Sequence, residues 1–179
     1  MLTLEEIGQS VRNNLQLIID SSGLKLAVGP IKDEDYKILC GGYGELEWDI
    51  GLNQYGNDPD RFEFCVKLLT SVVESVPSGI ALCVYGIKDK VFKVHMIERF
   101  FRHNDDDHPL KGRMVTLTLM AAFLFCKAVN AKAVHIVEPV QELVEYYATY
   151  GFVMHKCGYI MVANVDSLTK AFETFAQKQ

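Results

Sequence analysis

The sequence predicts a mixed α/β fold of the α+β kind, with helices packed on a sheet that is mostly antiparallel. Three observations carry this. Ile80–Ile87 and Val91–Phe101 are rich in β-branched and aromatic residues and flank Lys88-Asp89-Lys90, which is a hairpin signal. Phe152–His155 and Tyr159–Ala163 repeat the pattern around Lys156-Cys157-Gly158. Between them, Ala133–Val137 is short and almost continuously apolar, as a strand buried on both faces should be, and it sits between two helical stretches.

Taken in order, Leu4, Ile7, Val11, Leu15 and Ile18 recur every three or four residues and predict an amphipathic helix that stops at Ser21-Ser22-Gly23. A short strand at 25–28 follows, then a helical turn to Leu39 capped by Asp33 or Asp35. Closely spaced glycines from Gly41 to Gly56 predict loop, with a strand at 46–50. Phe64, Leu68, Val72 and Val76 share one helical stripe, so 61–75 reads as a helix ended by Pro77-Ser78-Gly79. Beyond the first hairpin, 114–129 is apolar on nearly every side and predicts a buried helix ending at Asn130. Pro139 opens the next helix, which runs to Tyr150, and Asp166 or Ser167 caps a last one. A length of 179 residues fits a single domain: a helical N-terminal part over 1–77, a core over 78–163 and a C-terminal helix over 164–179.

Composition bounds the function classes. Hydrophobic residues make up 49% and charged residues 23%, which is too apolar for a disordered chain. A formal charge of −5 argues against a general nucleic-acid partner, which needs a basic face. The five cysteines are scattered without a Cys-x-x-Cys pair and imply a reduced, cytoplasmic setting. The N-terminus lacks a signal pattern, and the longest uncharged run, 114–126, is too short to span a bilayer, so no membrane partner is expected.

One stretch invites chemistry. After the strand ending near Phe101, a polar turn reaches Leu110-Lys111-Gly112-Arg113-Met114 and opens directly into the apolar helix. A helix start after a glycine-bearing basic turn offers free N–H groups and a positive dipole end to an anion such as phosphate. A solvated connector, its cations balancing Asp105, Asp106 and Asp107, is the competing reading. His103, His108 and those three aspartates do not carry metal-ligand spacing, and no metal is expected.

From Ser78 to Ala163 the chain resembles the GNAT superfamily of acyl-CoA-dependent N-acyltransferases. Tyr147-Ala148-Thr149-Tyr150-Gly151-Phe152 matches the family's Tyr-x-x-x-Gly-Phe, and strand, turn and helix around Val137-Glu138-Pro139 fall where the family has them. Of the family's pyrophosphate turn, Gln/Arg-x-x-Gly-x-Gly/Ala, only Gly112 is kept, and Met114 stands at the small final position. The resemblance implies a splayed parallel strand pair in a mixed sheet with helices on both faces. It implies acetyl-CoA as co-substrate and an amine acceptor that the sequence does not identify, in a monomer or homodimer. Main-chain N–H groups of Leu110, Lys111, Gly112, Arg113 and Met114 would hold the pyrophosphate, and the strand end near Phe101 would pair with the pantetheine arm. Tyr147 would protonate the CoA thiolate, although Val140, Leu143, Val144 and Tyr147 also form an ordinary apolar stripe.

Two acids stand near this site. Glu98 alternates with Val94, Met96 and Phe100, so a regular strand puts it on an apolar face, where burial favours a general base. An ion pair with Arg99 or Arg102 is the bland alternative. Glu138, at the C-terminal end of a buried strand, would bind a cationic acceptor, serve as an alternative base or favour the following helix dipole. The function expected is acetyl transfer from acetyl-CoA to an amine in a ternary complex. A GNAT-fold binding protein without catalysis, or an acyltransferase using another donor, is the alternative.

Overall fold

A computed structural model describes residues 1–55, 58–70, 76–102 and 104–176. The element order is α1 (Leu4–Ser21), β1 (Ala27–Gly29), α2 (Asp33–Cys40), α3 (Trp48–Gln54), β2 (Arg61–Leu69), β3 (Gly79–Gly86), β4 (Val91–Arg99), α4 (Met114–Val129), β5 (Ala133–Val137), α5 (Val144–Ala148), β6 (Val153–Met154), β7 (Ile160–Asn164) and α6 (Val165–Ala176). The strands form one seven-stranded sheet in the order β1-β2-β3-β4-β5-β7-β6. Every pairing is antiparallel except β4 with β5.

Helices cover both faces. On one, α1 and α4 bury Val11, Leu15, Leu119 and Phe125 against Phe64, Val66, Cys83, Phe92 and Val94 of the central strands. Phe125 is the hub: its ring lies 5.1–5.8 Å from those of Phe62, Phe64, Tyr85 and Phe92, each such pair adding about 0.5–1.5 kcal/mol beyond area burial. On the other face, Leu39 of α2 and Trp48 and Leu52 of α3 pack on Cys65, Ile80, Leu82 and Met96. A buried ion pair, Lys67 Nζ to Asp35 Oδ2 at 2.6 Å, ties α2 to β2.

Several expected elements are corrected. Residues 61–69 are the strand β2, not a helix, and the rest of the predicted helix, 71–75, lies outside the described residues. A spacing of four fits a strand's period of two as well as a helical stripe, so Phe64 and Leu68 satisfied both patterns. Phe64, Val66 and Leu68 face α1, Cys65 faces α2 and α3, and β1 and β3 take the backbone bonds on either side. The N-terminal 77 residues therefore contribute two strands and are not wholly helical. The strand expected at 46–50 is absent: Trp48 begins the helix α3, with Glu47 at its cap position and Trp48, Gly51 and Leu52 as its buried side. The stretch after Pro139 is a 3-10 turn at Gln141–Leu143 followed by the short α5. Lys32 occupies the α2 cap position, its N–H donating to Asp35 Oδ2 at 2.8 Å. At the start of α6 the Ser167 N–H donates to Asn164 Oδ1 at 2.8 Å, so Asn164 caps it. No helix among the described residues is long and apolar enough to cross a membrane.

Candidate active site

The site follows from where one strand pairing stops. β4 and β5 run parallel from Val91 beside Ala133 to Val94 beside Ile136 and then part. β4 continues to Arg99 on β3, and β5 continues to Val137 on β7. At the parting point β4 carries one extra residue: Cys83 pairs with Val94 but Leu82 pairs with Met96, which leaves His95 as a bulge. The bulge also reverses the alternation. Val94 faces α4, whereas Met96 and Phe100 face α3. Glu98 therefore does not share Val94's face, contrary to the regular-strand expectation.

The parted strands open a cavity of about 560 Å³. Val94, His95, Met96 and Ile97 line it from β4, Ile136 to Val140 from β5 and beyond, and Tyr147 from α5. Val115 of α4 and Leu143 add to these, and the facing wall is Leu46, Glu47, Ile50, Gly51, Gln54 and Tyr55, in and around α3.

Tyr147 is buried, and its hydroxyl makes no hydrogen bond to another described residue. Burial, helped by Tyr146, pushes its pKa up to about 12, so the phenol stays protonated at neutral pH. Glu138 stands at the cavity rim with φ at +48°, held there by its N–H bond to the Tyr159 carbonyl at 2.7 Å. Glu47 reaches the same cavity from the start of α3. Glu98 is occupied differently. Its carboxylate accepts from the Glu45 N–H at 2.5 Å, the Leu46 N–H at 3.3 Å and the Trp48 indole N–H at 2.5 Å. It thereby fastens the loop before α3 to β4.

The turn before α4 has a built geometry. Leu110 is buried and donates its N–H to His108 Nδ1 at 3.1 Å, and Lys111 N–H donates to the His108 carbonyl at 2.9 Å. The two cations expected to attract an anion are drawn into the turn. Lys111 pairs with Asp106, and Arg113 Nη1 donates to the Pro109 carbonyl at 3.0 Å. What remains open is main chain: the N–H groups of Gly112, Met114, Val115 and Thr116 have no acceptor among the described residues. Gly112 has φ +69° with open space where a Cβ would be. Met114 turns inward. Its sulfur lies 2.6 Å from where a Cβ on Gly79 would sit, so the side chain fills the core and leaves the helix start clear. Phe101 lies two residues past β4 with its ring stacked on His108.

Two residues missed in the sequence complete the site. His95 lines the cavity, and Tyr55, just after α3, places its hydroxyl 3.1 Å from His95 Nδ1. Burial, with Lys93 and Arg61 adding repulsion, pushes the imidazole pKa down to about 4. A histidine inside an alternating strand carries no signal by itself, since the bulge that turns it into the cavity depends on β3. Of the acidic loop, His103 lies outside the described residues. No group of three or more His, Cys, Asp or Glu among the described residues is arranged to hold a metal ion.

No protein-family model matches the chain, and a comparison with the curated proteins gives no match. Solved structures do match. The chain is similar to AtaTR bound with acetyl-CoA, at 13% identity and TM-score 0.58, over 82% of this chain and 98% of that one. It is similar to a chimera of spermidine N-acetyltransferase SpeG from Vibrio cholerae and hSSAT, at 15% identity and TM-score 0.56, over 83% and 99%. An uncharacterized protein from Bacillus halodurans matches at 10% identity and TM-score 0.59, over 86% and 91%. At such identities the likeness is one of fold. The fold it defines is GNAT-like, with the mixed sheet and single parallel pair that the chain displays.

Proposed function

We propose that the chain is an N-acetyltransferase that moves the acetyl group of acetyl-CoA onto an amine by direct attack within a ternary complex. The observation that carries the reading is the cavity between the parted β4 and β5, lined in part by Tyr147, a phenol that stays protonated at neutral pH and has no hydrogen-bond partner among the described residues. The similarity to acetyltransferases, one of them bound with acetyl-CoA, supports it.

Each element then has a task. The free N–H groups at Gly112 and Met114, with those of Val115 and Thr116, hold the pyrophosphate, the dipole of α4 adding attraction. Lys111 and Arg113 shape the turn, and Leu110 anchors it in the core. The β4 edge beyond His95, running toward Phe101, pairs with the pantetheine arm. The thioester thereby reaches the cavity, where Tyr147 gives its proton to the departing sulfur. Glu138, with Glu47, draws a cationic acceptor to the rim. Glu98, with its oxygens taken by three donors, serves as a positioning residue for the acceptor wall and not as the base.

Calorimetry with acetyl-CoA, followed by thioester loss across a panel of amines, tests the reading. Binding in the micromolar range and amine-dependent loss of thioester are expected. Absence of acetyl-CoA binding sinks it, and binding without transfer to any amine returns the chain to a binding role. Tyr147→Phe should keep acetyl-CoA affinity and lower kcat about 100-fold, the scale of a lost general acid.

A further inference from the structure

We propose that His95 is the group that takes the proton from the attacking amine, with Tyr55 as its positioning residue. The inference rests on the acetyl-transfer reading and names the base that reading lacks.

His95 occupies the extra position of the β4 bulge, the first residue past the last β4–β5 pair. Its side chain borders the 560 Å³ cavity and also a second one of about 370 Å³ on the α3 side of the sheet. Tyr55 covers the ring, with centroids 4.5 Å apart, and its hydroxyl meets Nδ1. A partner on one ring nitrogen decides which nitrogen keeps its lone pair. When Nδ1–H donates to the Tyr55 oxygen, Nε2 is bare. The Tyr55 phenol keeps its own proton in that arrangement, since burial foremost, with a smaller contribution from Glu138, raises its pKa against the opposing charge of Arg61.

Tyr147 lies on the same cavity, entering from α5 while His95 enters from β4. Their surroundings push their titrations in opposite directions: Tyr147 keeps its proton to about 12, and His95 stays neutral down to about 4. At neutral pH the phenol therefore holds a proton and the imidazole holds a free lone pair, the starting states that a donor and an acceptor on one cavity need. The charges facing His95 are Lys93 of β4 and Arg61 of β2, both lowering its pKa, with Lys88, Asp60 and Asp89 around the second cavity. Glu47 and Glu138 border the first cavity.

The step balances without another reagent. The ammonium of the acceptor first loses a proton to solvent; the freed lone pair forms the C–N bond at the thioester carbon, and the nitrogen then gives its second proton to His95 Nε2. The C–S bond then breaks, its electron pair leaves on sulfur, and sulfur takes the Tyr147 proton. Amide and CoA thiol result, and the imidazolium proton returns to the Tyr147 phenolate through solvent.

The test begins with ¹⁵N-imidazole NMR of the full chain with acetyl-CoA at pH 7 and no amine. Nδ1 protonated and Nε2 bare is expected, and the reverse tautomer overturns the proposal whether or not an acceptor has been found. With n-butylamine and spermidine as acceptor probes, His95→Gln should lower kcat/KM at least about 100-fold and leave acetyl-CoA affinity unchanged. Tyr55→Phe should shift the acid limb of the pH profile without moving the alkaline limb. A His95→Gln enzyme within threefold of wild type at all pH values overturns the proposal while leaving acetyl transfer intact. Failure of wild type to bind acetyl-CoA fails the parent reading instead.

Discussion

The Phe101 ring stacks on the His108 ring, with centroids 3.8 Å apart and planes 2° from parallel. This contact joins the end of β4 to the turn before α4, and His108 in turn receives the N–H groups of Leu110 and Lys111. The strand that borders the cavity and the turn with the free N–H groups are thus held as one unit. A stacked pair contributes about 0.5–1.5 kcal/mol, which in binding is about two- to tenfold. Phe101→Ala should weaken acetyl-CoA by that factor in calorimetry while leaving the far-ultraviolet dichroism unchanged. Unaltered affinity would mean the turn keeps its shape without the stack.

Gly44 and Glu98 form a second linkage. Gly44 has φ +97°, and a Cβ there would meet Glu98 Oε2 and Phe100 Cε1 at 2.8 Å. Gly44→Ala adds both strain and a clash at the point where Glu98 holds the loop. Hydrogen exchange of residues 44–54 should rise, and the acceptor KM should rise with it, in Gly44→Ala and Glu98→Gln alike. A Glu98→Gln variant that loses kcat while exchange stays at the wild-type level would give Glu98 a chemical role.

The Asp35–Lys67 pair is 8% exposed on each side. Removing one partner strands a buried charge, so Asp35→Ala and Lys67→Ala should each cost about 3–5 kcal/mol in urea unfolding. The apolar double variant Asp35→Leu with Lys67→Met should recover most of that loss. Additive losses in the double variant would show that the charges act independently.

Cys157 is exposed in the β6–β7 turn, where the Tyr159 N–H foremost, with His155, stabilises its thiolate and lowers its pKa. A lowered pKa means the thiolate appears at a lower pH than for an ordinary cysteine. Burial does the opposite at Cys83 and Cys126, the latter pushed up to about 12. Ellman's reagent at pH 7 should therefore modify Cys157 well before Cys83 or Cys126, which should react only on unfolding. Peptide mass spectrometry reads the order, and early labelling of Cys83 would contradict it.

Much of the fold was legible in the letters where one periodicity stood alone. The amphipathic spacing of α1, the continuous apolarity of α4 and both hairpins admit a single reading, and the structure has each of them. Residues 61–69 failed because Phe64 and Leu68 suit a helix and a strand equally, and only the neighbours β1 and β3 select the strand. The α3 segment failed because the glycines around it suggested loop with a short strand at 46–50, whereas burial of Trp48 under β4 stabilises a helix there.

The same division holds at the site. Strand, turn and buried helix around Gly112, and the Tyr147 to Phe152 pattern, stand in the sequence because each is local. Met114 stands where the family's turn has a small residue, and only its packing over Gly79 shows that it points inward. Glu98, His95 and Tyr55 depend on contacts between residues 40 to 53 positions apart, which no local spacing encodes. The sequence by itself determined the elements and the local turn, because hydrophobic period and turn chemistry act over a few residues. Tertiary structure decided the bulge at His95, and with it which side chains face the cavity, because a bulge arises from pairing with another strand.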